Sequence, residues 1–141
     1  MAAADTKLEM LKSVPLFSSM RGRDLEAVGR LADTVDVPAG KTLMRQGDQG
    51  GEMYVIAAGS VRVERNGTEI ATLGAGQAVG EMSLLSEGPR LATVTTLEPT
   101  TAFVLGHREF HTLLADSSEL RQCIFDNLAR RIRELDDKGT L

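Results

Sequence analysis

Val79-Gly80-Glu81-Met82-Ser83-Leu84-Leu85, followed after Ser86-Glu87-Gly88 by Pro89-Arg90-Leu91-Ala92-Thr93-Val94, decides how the rest of this chain is read. The first segment puts an acid where a strand gives way to a helix. The second puts an arginine at the entry of a strand. Eight residues separate Glu81 from Arg90, enough for one short helical turn and a loop. Such a loop can close around a small ligand that carries both a hydroxyl and an anion. A guanidinium fork grips a phosphate through two parallel hydrogen bonds, and a carboxylate accepts from a sugar hydroxyl. Free amides at a helix start add to anion binding.

The flanking sequence has the same character. Gly40-Lys41-Thr42-Leu43-Met44-Arg45-Gln46-Gly47-Asp48 leads to Met53-Tyr54-Val55-Ile56 and Gly59-Ser60-Val61-Arg62-Val63. Together with the 79–94 segment, and in this order, these pieces resemble the cyclic nucleotide-binding domain family. That family includes catabolite activator proteins, regulatory subunits of cyclic-AMP-dependent kinases and cyclic-nucleotide-gated channels. The 79–94 segment resembles its phosphate-binding cassette, and the resemblance covers almost the whole chain.

The fold class expected is α+β: an antiparallel β-roll flanked by N-terminal helices and two C-terminal helices. The expected organisation is one domain over 1–141, with N-terminal helices in 1–32, the roll in 33–106 and C-terminal helices in 107–137. Ten of the fourteen glycines fall between Gly40 and Gly88, which suits short strands joined by tight turns. Asn66-Gly67, between two alternating segments, is a strong hairpin signal, because both turn residues must adopt positive φ. Val61 and Val63 alternate with Arg62 and Glu64, giving one buried and one wet face. Leu8 and Leu11 predict a first helix, and Leu25, Val28 and Leu31 a second over roughly 21–32. Pro38 is expected to break the chain before the first long strand. Phe110, Leu113 and Leu114 predict a helix after Gly106. Asp116, with Glu119 three residues on, is expected to cap the last helix, whose stripe runs Leu120, Ile124, Leu128, Ile132, Leu135 to about Asp136.

Composition removes several function classes. A chain of 141 residues is large enough for one good core; its net charge of −4 does not exclude a nucleic-acid binder, but no basic run of the kind such domains usually carry stands out. The single cysteine, Cys123, allows no internal disulfide and no iron–sulfur set, and points to a reducing, cytoplasmic setting. Apolar runs such as Met53 to Ala58 are too short to span a bilayer, and the first residues do not read as a signal peptide. His107 and His111 lie four apart, but no carboxylate set completes a metal site, so surface histidines are expected. Ser83 has no His–Asp partners for a nucleophilic role. Met53, Tyr54, Phe103, Phe110 and Phe125 are expected in the core. Arg130, Arg131 and Arg133 beside Glu134, Asp136 and Asp137 read as a solvated, salt-bridged face.

The resemblance carries the site assignment. Arg90 would neutralise a cyclic phosphate, and Glu81 would accept from a ribose 2′-hydroxyl. Amides of Gly80, Met82, Ser83, Leu91 and Ala92 would complete the anion cradle. Val63, Ile70 and Val79 would line the base pocket, with Leu135 as a lid and Asp136 accepting from an adenine amino group. Leu91 stands where the family usually has Ala, Ser or Thr; lacking a hydroxyl, it argues against selectivity for cyclic GMP. The expected function is reversible binding of a cyclic nucleotide, cyclic AMP before cyclic GMP, by a regulatory sensor that repositions its C-terminal helix. The resemblance implies no enzyme activity, no cofactor, no direct nucleic-acid or membrane contact, and self-association through the last helix. In the transcription factors of the family a helix-turn-helix comes next; none is read before Leu141. The alternative is a degenerate fold that uses Glu81 and Arg90 as a simple ion pair and serves as a ligand-free interaction domain.

Overall fold

The computed structural model describes residues 3–137. It begins with α1 (Ala3–Lys12), a 3₁₀ turn (Pro15–Phe17) and α2 (Gly22–Leu31). Ten strands follow: β1 (Asp33–Val37), β2 (Thr42–Met44), β3 (Gln49–Gly50), β4 (Glu52–Ala58), β5 (Ser60–Arg65), β6 (Thr68–Gly74), β7 (Ala78–Val79), β8 (Gly88–Pro89), β9 (Thr93–Thr96) and β10 (Thr100–Gly106). The four-residue helix α3 (Met82–Leu85) interrupts them, and α4 (His107–Ala115) and α5 (Ser118–Asp137) close the described chain. This is the α+β arrangement expected, with antiparallel sheets and helices at both ends. Among the described residues no helix is long and apolar enough to cross a membrane.

Two four-stranded antiparallel sheets form the roll, ordered β1-β10-β4-β7 and β2-β9-β5-β6, and β3 pairs with β8 as a separate ribbon. Two apolar cores result, and β4 belongs to both. Met53 and Val55 face the helical layer with Leu11, Leu16, Phe17, Val28, Phe110, Leu120 and Ile124. Ile56 and the partly buried Tyr54 face the interior of the roll with Met44, Val61, Val63, Val79 and Val94. A strand covered on both faces has to be apolar at successive positions, so Met53 to Ile56 shows no clean alternation. The Phe17 and Phe110 rings, 5.7 Å apart and tilted by 51°, join the N- and C-terminal helices. Lys7 ties α1 to α2 by donating to the carbonyls of Gly29 and Ala32 at 2.9 and 2.5 Å. The Asn66-Gly67 turn has the two positive φ values its sequence requires, 53° and 80°, and sets the β5–β6 register.

Four expectations need correcting. A strand precedes Pro38: β1 pairs with β10 from Asp33 to Val37, and the proline sits just past its end. Its two aspartates and exposed face hid it, as suits an edge strand. The last helix is capped by Ser117, whose hydroxyl accepts from the Leu120 amide at 3.1 Å. Asp116 instead terminates α4, its amide donating to Leu113 and Leu114. Glu119 reaches away to Arg23 and Arg21, at 2.7 and 3.4 Å. Phe125 is not in the core: it is 65% exposed, because Ile124 takes the inward position and the next residue turns about 100° round the helix.

The Ser117 cap makes a direct test. Removing a hydroxyl N-cap costs about 0.5–2 kcal/mol. Ser117→Ala should lower the unfolding free energy measured in denaturant by that margin, and Asp116→Ala should leave it within experimental error.

Candidate functional site

Arg90 is delivered by backbone pairing before its side chain plays any part. Its amide donates to the Asp48 carbonyl at 2.7 Å, and its carbonyl accepts from Gly47 at 2.9 Å. The β3–β8 ribbon beside it pairs Gln49 with Pro89 and Gly50 with Gly88. So anchored, the side chain runs inward and is only 5% exposed. Its Nη1 donates to the Glu52 carbonyl at 2.8 Å and to the Ser83 hydroxyl at 2.9 Å. Nη2 lies 3.6 Å from the Glu52 carboxylate, which is itself half exposed. The two hydrogens of Nη1 are thereby engaged by neutral acceptors. The Nε–Nη2 edge makes no hydrogen bond among the described residues, with the Glu52 carboxylate its neighbour on the Nη2 side.

Two glycines make room for this guanidinium. A β-carbon at Gly50 would overlap Arg90 Nε and Cζ. At Gly80 it would come within 2.6 Å of the Glu52 carbonyl and 2.8 Å of Arg90 Nη1, and φ there is +79°. Gly80 is therefore required twice over, by its left-handed backbone and by the approach of the arginine.

Glu81 opens α3, and its carboxylate points to different neighbours. Oε2 accepts from the Leu16 amide of the 3₁₀ turn at 3.1 Å, and Oε1 accepts from Arg131 on α5 at 3.2 Å. The side chain is 17% exposed. Glu81 and Arg90 are not paired with each other, so the simple ion pair considered from the sequence is not formed. Each belongs to a separate couple, Glu81–Arg131 and Arg90–Glu52. The basic face of α5 is also corrected: Arg131 leaves it for Glu81, and Arg130 donates to Asn127. Within the cradle, the Ser83 amide is already bonded to the Gly80 carbonyl at 3.0 Å, so Ser83 enters through its hydroxyl. The amides of Leu91 and Ala92 have no backbone acceptor among the described residues. Met82 and Leu91 have exposed side chains.

Val63 and Val79 meet in the inner cluster of the roll; Ile70, 51% exposed, does not join it. Leu135 and Asp136 lie on the last turn of α5, four and five residues past Arg131. Leu135 is 43% exposed and belongs to neither apolar cluster.

Sequence reasoning missed Glu52, Leu16, Arg131, His107 and His111. Most of these act across dozens of residues, where spacing carries no signal. Gly50-Gly51 directly before Glu52 did signal a close backbone approach. The histidines are a further correction. His107 Nδ1 lies 2.9 Å from the Ser83 carbonyl and His111 Nε2 lies 2.7 Å from the Leu84 carbonyl, so both are structural partners of α3 rather than surface groups.

Tyr54 reports on this region. Burial pushes its phenol above the ordinary value of 10.0; the Glu52 carboxylate adds to the rise, and Arg90 opposes it.

Residues 34–117 match the family model described as the cyclic nucleotide-binding domain. The chain belongs to this family. It is similar to the cyclic AMP receptor protein of Thermus thermophilus, 34% identical over 131 residues that cover 89% of this chain and 61% of that protein. It is also similar to a cAMP-dependent protein kinase regulatory subunit of Yarrowia lipolytica, 28% identical across 72% of this chain and 27% of that one. The chain thus spans between about a quarter and three-fifths of the length of these relatives. Among solved structures, the N-terminal domain of a transcriptional regulator from Streptomyces coelicolor superposes with a TM-score of 0.85 at 29% identity, covering 94% of this chain and 96% of that one. The regulatory domain of Toxoplasma gondii PKA with cAMP superposes with a TM-score of 0.74 at 28% identity, over 95% of this chain and 53% of that one.

Two outcomes test the geometry. Gly50→Ala should displace Arg90 and lower stability by about 1–3 kcal/mol, the usual cost of overpacking, as read by denaturant unfolding. Tyr54 is the sole tyrosine, so ultraviolet titration reads it alone; it should ionise above pH 10. Because its folded pKa is raised, its contribution to stability is complete below pH 10 and is lost as pH rises through the folded value.

Proposed function

We propose that this chain is a regulatory module that binds cyclic AMP reversibly, in preference to cyclic GMP, and answers by repositioning α5. The observation that carries the reading is Arg90: a buried guanidinium whose Nη1 is held by two neutral acceptors, and whose Nε–Nη2 edge makes no hydrogen bond among the described residues and meets only the half-exposed Glu52 carboxylate, 3.6 Å from Nη2. A cyclic phosphate would take that edge, with the Leu91 and Ala92 amides and those of Gly80 and Met82 beside it. Glu81 would accept from the ribose 2′-hydroxyl. A carboxylate has about four acceptor positions, so the bonds from Leu16 and Arg131 leave capacity for a third donor. Val63 and Val79 would bound the base, with Ile70 at its rim. Leu135 would come over the base as a lid once α5 moved, and Asp136 would accept from the adenine amino group. Leu91 offers no hydroxyl to a guanine-type ligand.

The chain would have no catalytic activity, cofactor or metal, and would work in the cytoplasm. The exposed Phe125, Ile132 and Leu135 support self-association through α5. The acidic balance speaks against direct nucleic-acid contact by this domain.

A second reading, a ligand-free interaction domain, is favoured by one observation: both charged residues already have partners. The two readings separate in one experiment. At a hundred times its dissociation constant, a ligand that binds only the folded state adds about 2.7 kcal/mol, or roughly 5–10 °C in melting temperature. Cyclic AMP should produce that shift and AMP much less. Arg90→Ala should abolish it, and Arg90→Lys should fail to restore it because the fork is gone. Equal shifts for both nucleotides, or none, favour the second reading.

A further inference from the structure

Helix α3 is too short to satisfy its own carbonyls. Its one closing bond is from the Ser86 amide to Met82, so the carbonyls of Ser83 and Leu84 must find partners elsewhere. They find them on α4. His107 Nδ1 reaches Ser83 at 2.9 Å and His111 Nε2 reaches Leu84 at 2.7 Å. Since a carbonyl only accepts, each of these ring nitrogens carries a hydrogen. The two rings are one helical turn apart and stack, with centroids 4.1 Å apart and planes at 30°. The main chain of His107 is also held, its amide donating to the Gly51 carbonyl.

Ser83 joins this pair to the anion site. Its carbonyl accepts from His107, while its hydroxyl accepts from Arg90 at 2.9 Å. Ser83 is therefore held from both sides, its carbonyl by α4 and its hydroxyl by the guanidinium, so that one residue links the two. On the far side of α4, Phe110 packs in the same core as Leu120 and Ile124 of α5. A cavity of about 420 Å³, lined by Leu85, His111, Leu114, Ile124, Phe125 and Leu128, lies where α3, α4 and α5 meet. It leaves Leu85 room to move against α5.

We propose that His107 and His111 are positioning residues that hold the cassette helix for the anion and carry its displacement to α4 and α5. This rests on the reading of the site as a cyclic nucleotide pocket. If α3 shifts when Arg90 takes an anion, the imidazoles either travel with it or leave two carbonyls unpaired in a partly buried setting. The second course is costly, so α4 follows. A purely structural pair of caps would affect stability alone, and would leave the response of α5 unchanged once ligand was bound.

The test uses the whole chain, cyclic AMP as probe, titration calorimetry for affinity, and hydrogen exchange for the response. His107→Phe with His111→Phe keeps both rings and removes both donors. His107→Asn with His111→Gln restores an N–H near each lost one. In the wild type, cyclic AMP should change protection both in the cassette, 79–94, and in α5. In the Phe pair affinity should fall by about tenfold, as for about 1.4 kcal/mol of lost positioning, and protection should change in the cassette only. The Asn/Gln pair should recover the α5 response. The single Phe variants carry the same comparison if the double variant does not fold. A folded Phe variant whose α5 responds as in the wild type overturns the proposal, as does an Asn/Gln pair that folds and binds without restoring the response. A wild-type chain that takes up no cyclic AMP overturns the functional reading itself, and this coupling with it.

Discussion

The burial of one arginine organises this molecule. Taking a guanidinium out of water is costly unless its hydrogens are met. Here the Glu52 carbonyl and the Ser83 hydroxyl meet two of them, and the Glu52 carboxylate stands close by. Each of those partners requires something of its own element. Glu52 must begin β4 beside the ribbon that delivers Arg90. Ser83 must lie on a helix short enough to turn its hydroxyl inward and its carbonyl outward to α4. Gly50 and Gly80 must lack β-carbons where the guanidinium passes. The cassette is thus a consequence of accommodating Arg90 between the roll and the helices.

The two apolar cores supply the frame. One fills the roll; the other fills the space between β4, β10 and the helices, and β4 seals both. A charge placed at the seam between them is held rigidly without being in either core. That seam is where Arg90, Glu81 and α3 sit. The arrangement explains why four residues of helix suffice. α3 is held by Leu84 in the helical core, by Arg90 from the strand side and by two imidazoles from α4.

Much of this was legible in the sequence. Alternation in Val61 to Glu64, the Asn66-Gly67 turn and the leucine periods of the helices follow from local rules, and the elements stand where those rules put them. What was not legible depends on pairs far apart in the chain. The partners of Glu81 come from Leu16 and Arg131, 65 and 50 residues away. Local chemistry even misled at Asp116, a good N-cap residue consumed in ending α4 one position too soon. Phe125 was misplaced for a related reason: a large apolar residue one step off a helical stripe looks like core in composition and is surface in angle. The 3₁₀ turn went unread although Pro15 after Val14 suits the first position of a helical turn. For the candidate site, the roles proposed within 79–94 rest on the family resemblance, whereas Glu52, Leu16, Arg131 and the two histidines, which hold Arg90, Glu81 and α3 in the structure, carry no signal in local spacing.

The two charge couples differ in what a ligand would ask of them. Arg90 has neutral acceptors on Nη1 and a half-exposed carboxylate 3.6 Å from Nη2, so an arriving anion competes only with the latter. The ordering of the guanidinium is already complete, which lowers the cost of binding. Glu81 sits instead at a junction, joining the 3₁₀ turn and α5. Its pair with Arg131 is partly solvated, and exposed pairs contribute up to about 1 kcal/mol. The same boundary divides α5. Before it, Leu120, Ile124 and Asn127 are buried; beyond it, Ile132 and Leu135 are exposed. Asn127 marks the division, its side chain donating to the Leu16 carbonyl while the Leu16 amide serves Glu81. The last turns of α5 therefore depend on Arg131 for contact with the cassette. The Glu81–Arg131 pair thus joins the cassette to the stretch of α5 whose large apolar side chains, Ile132 and Leu135, are exposed.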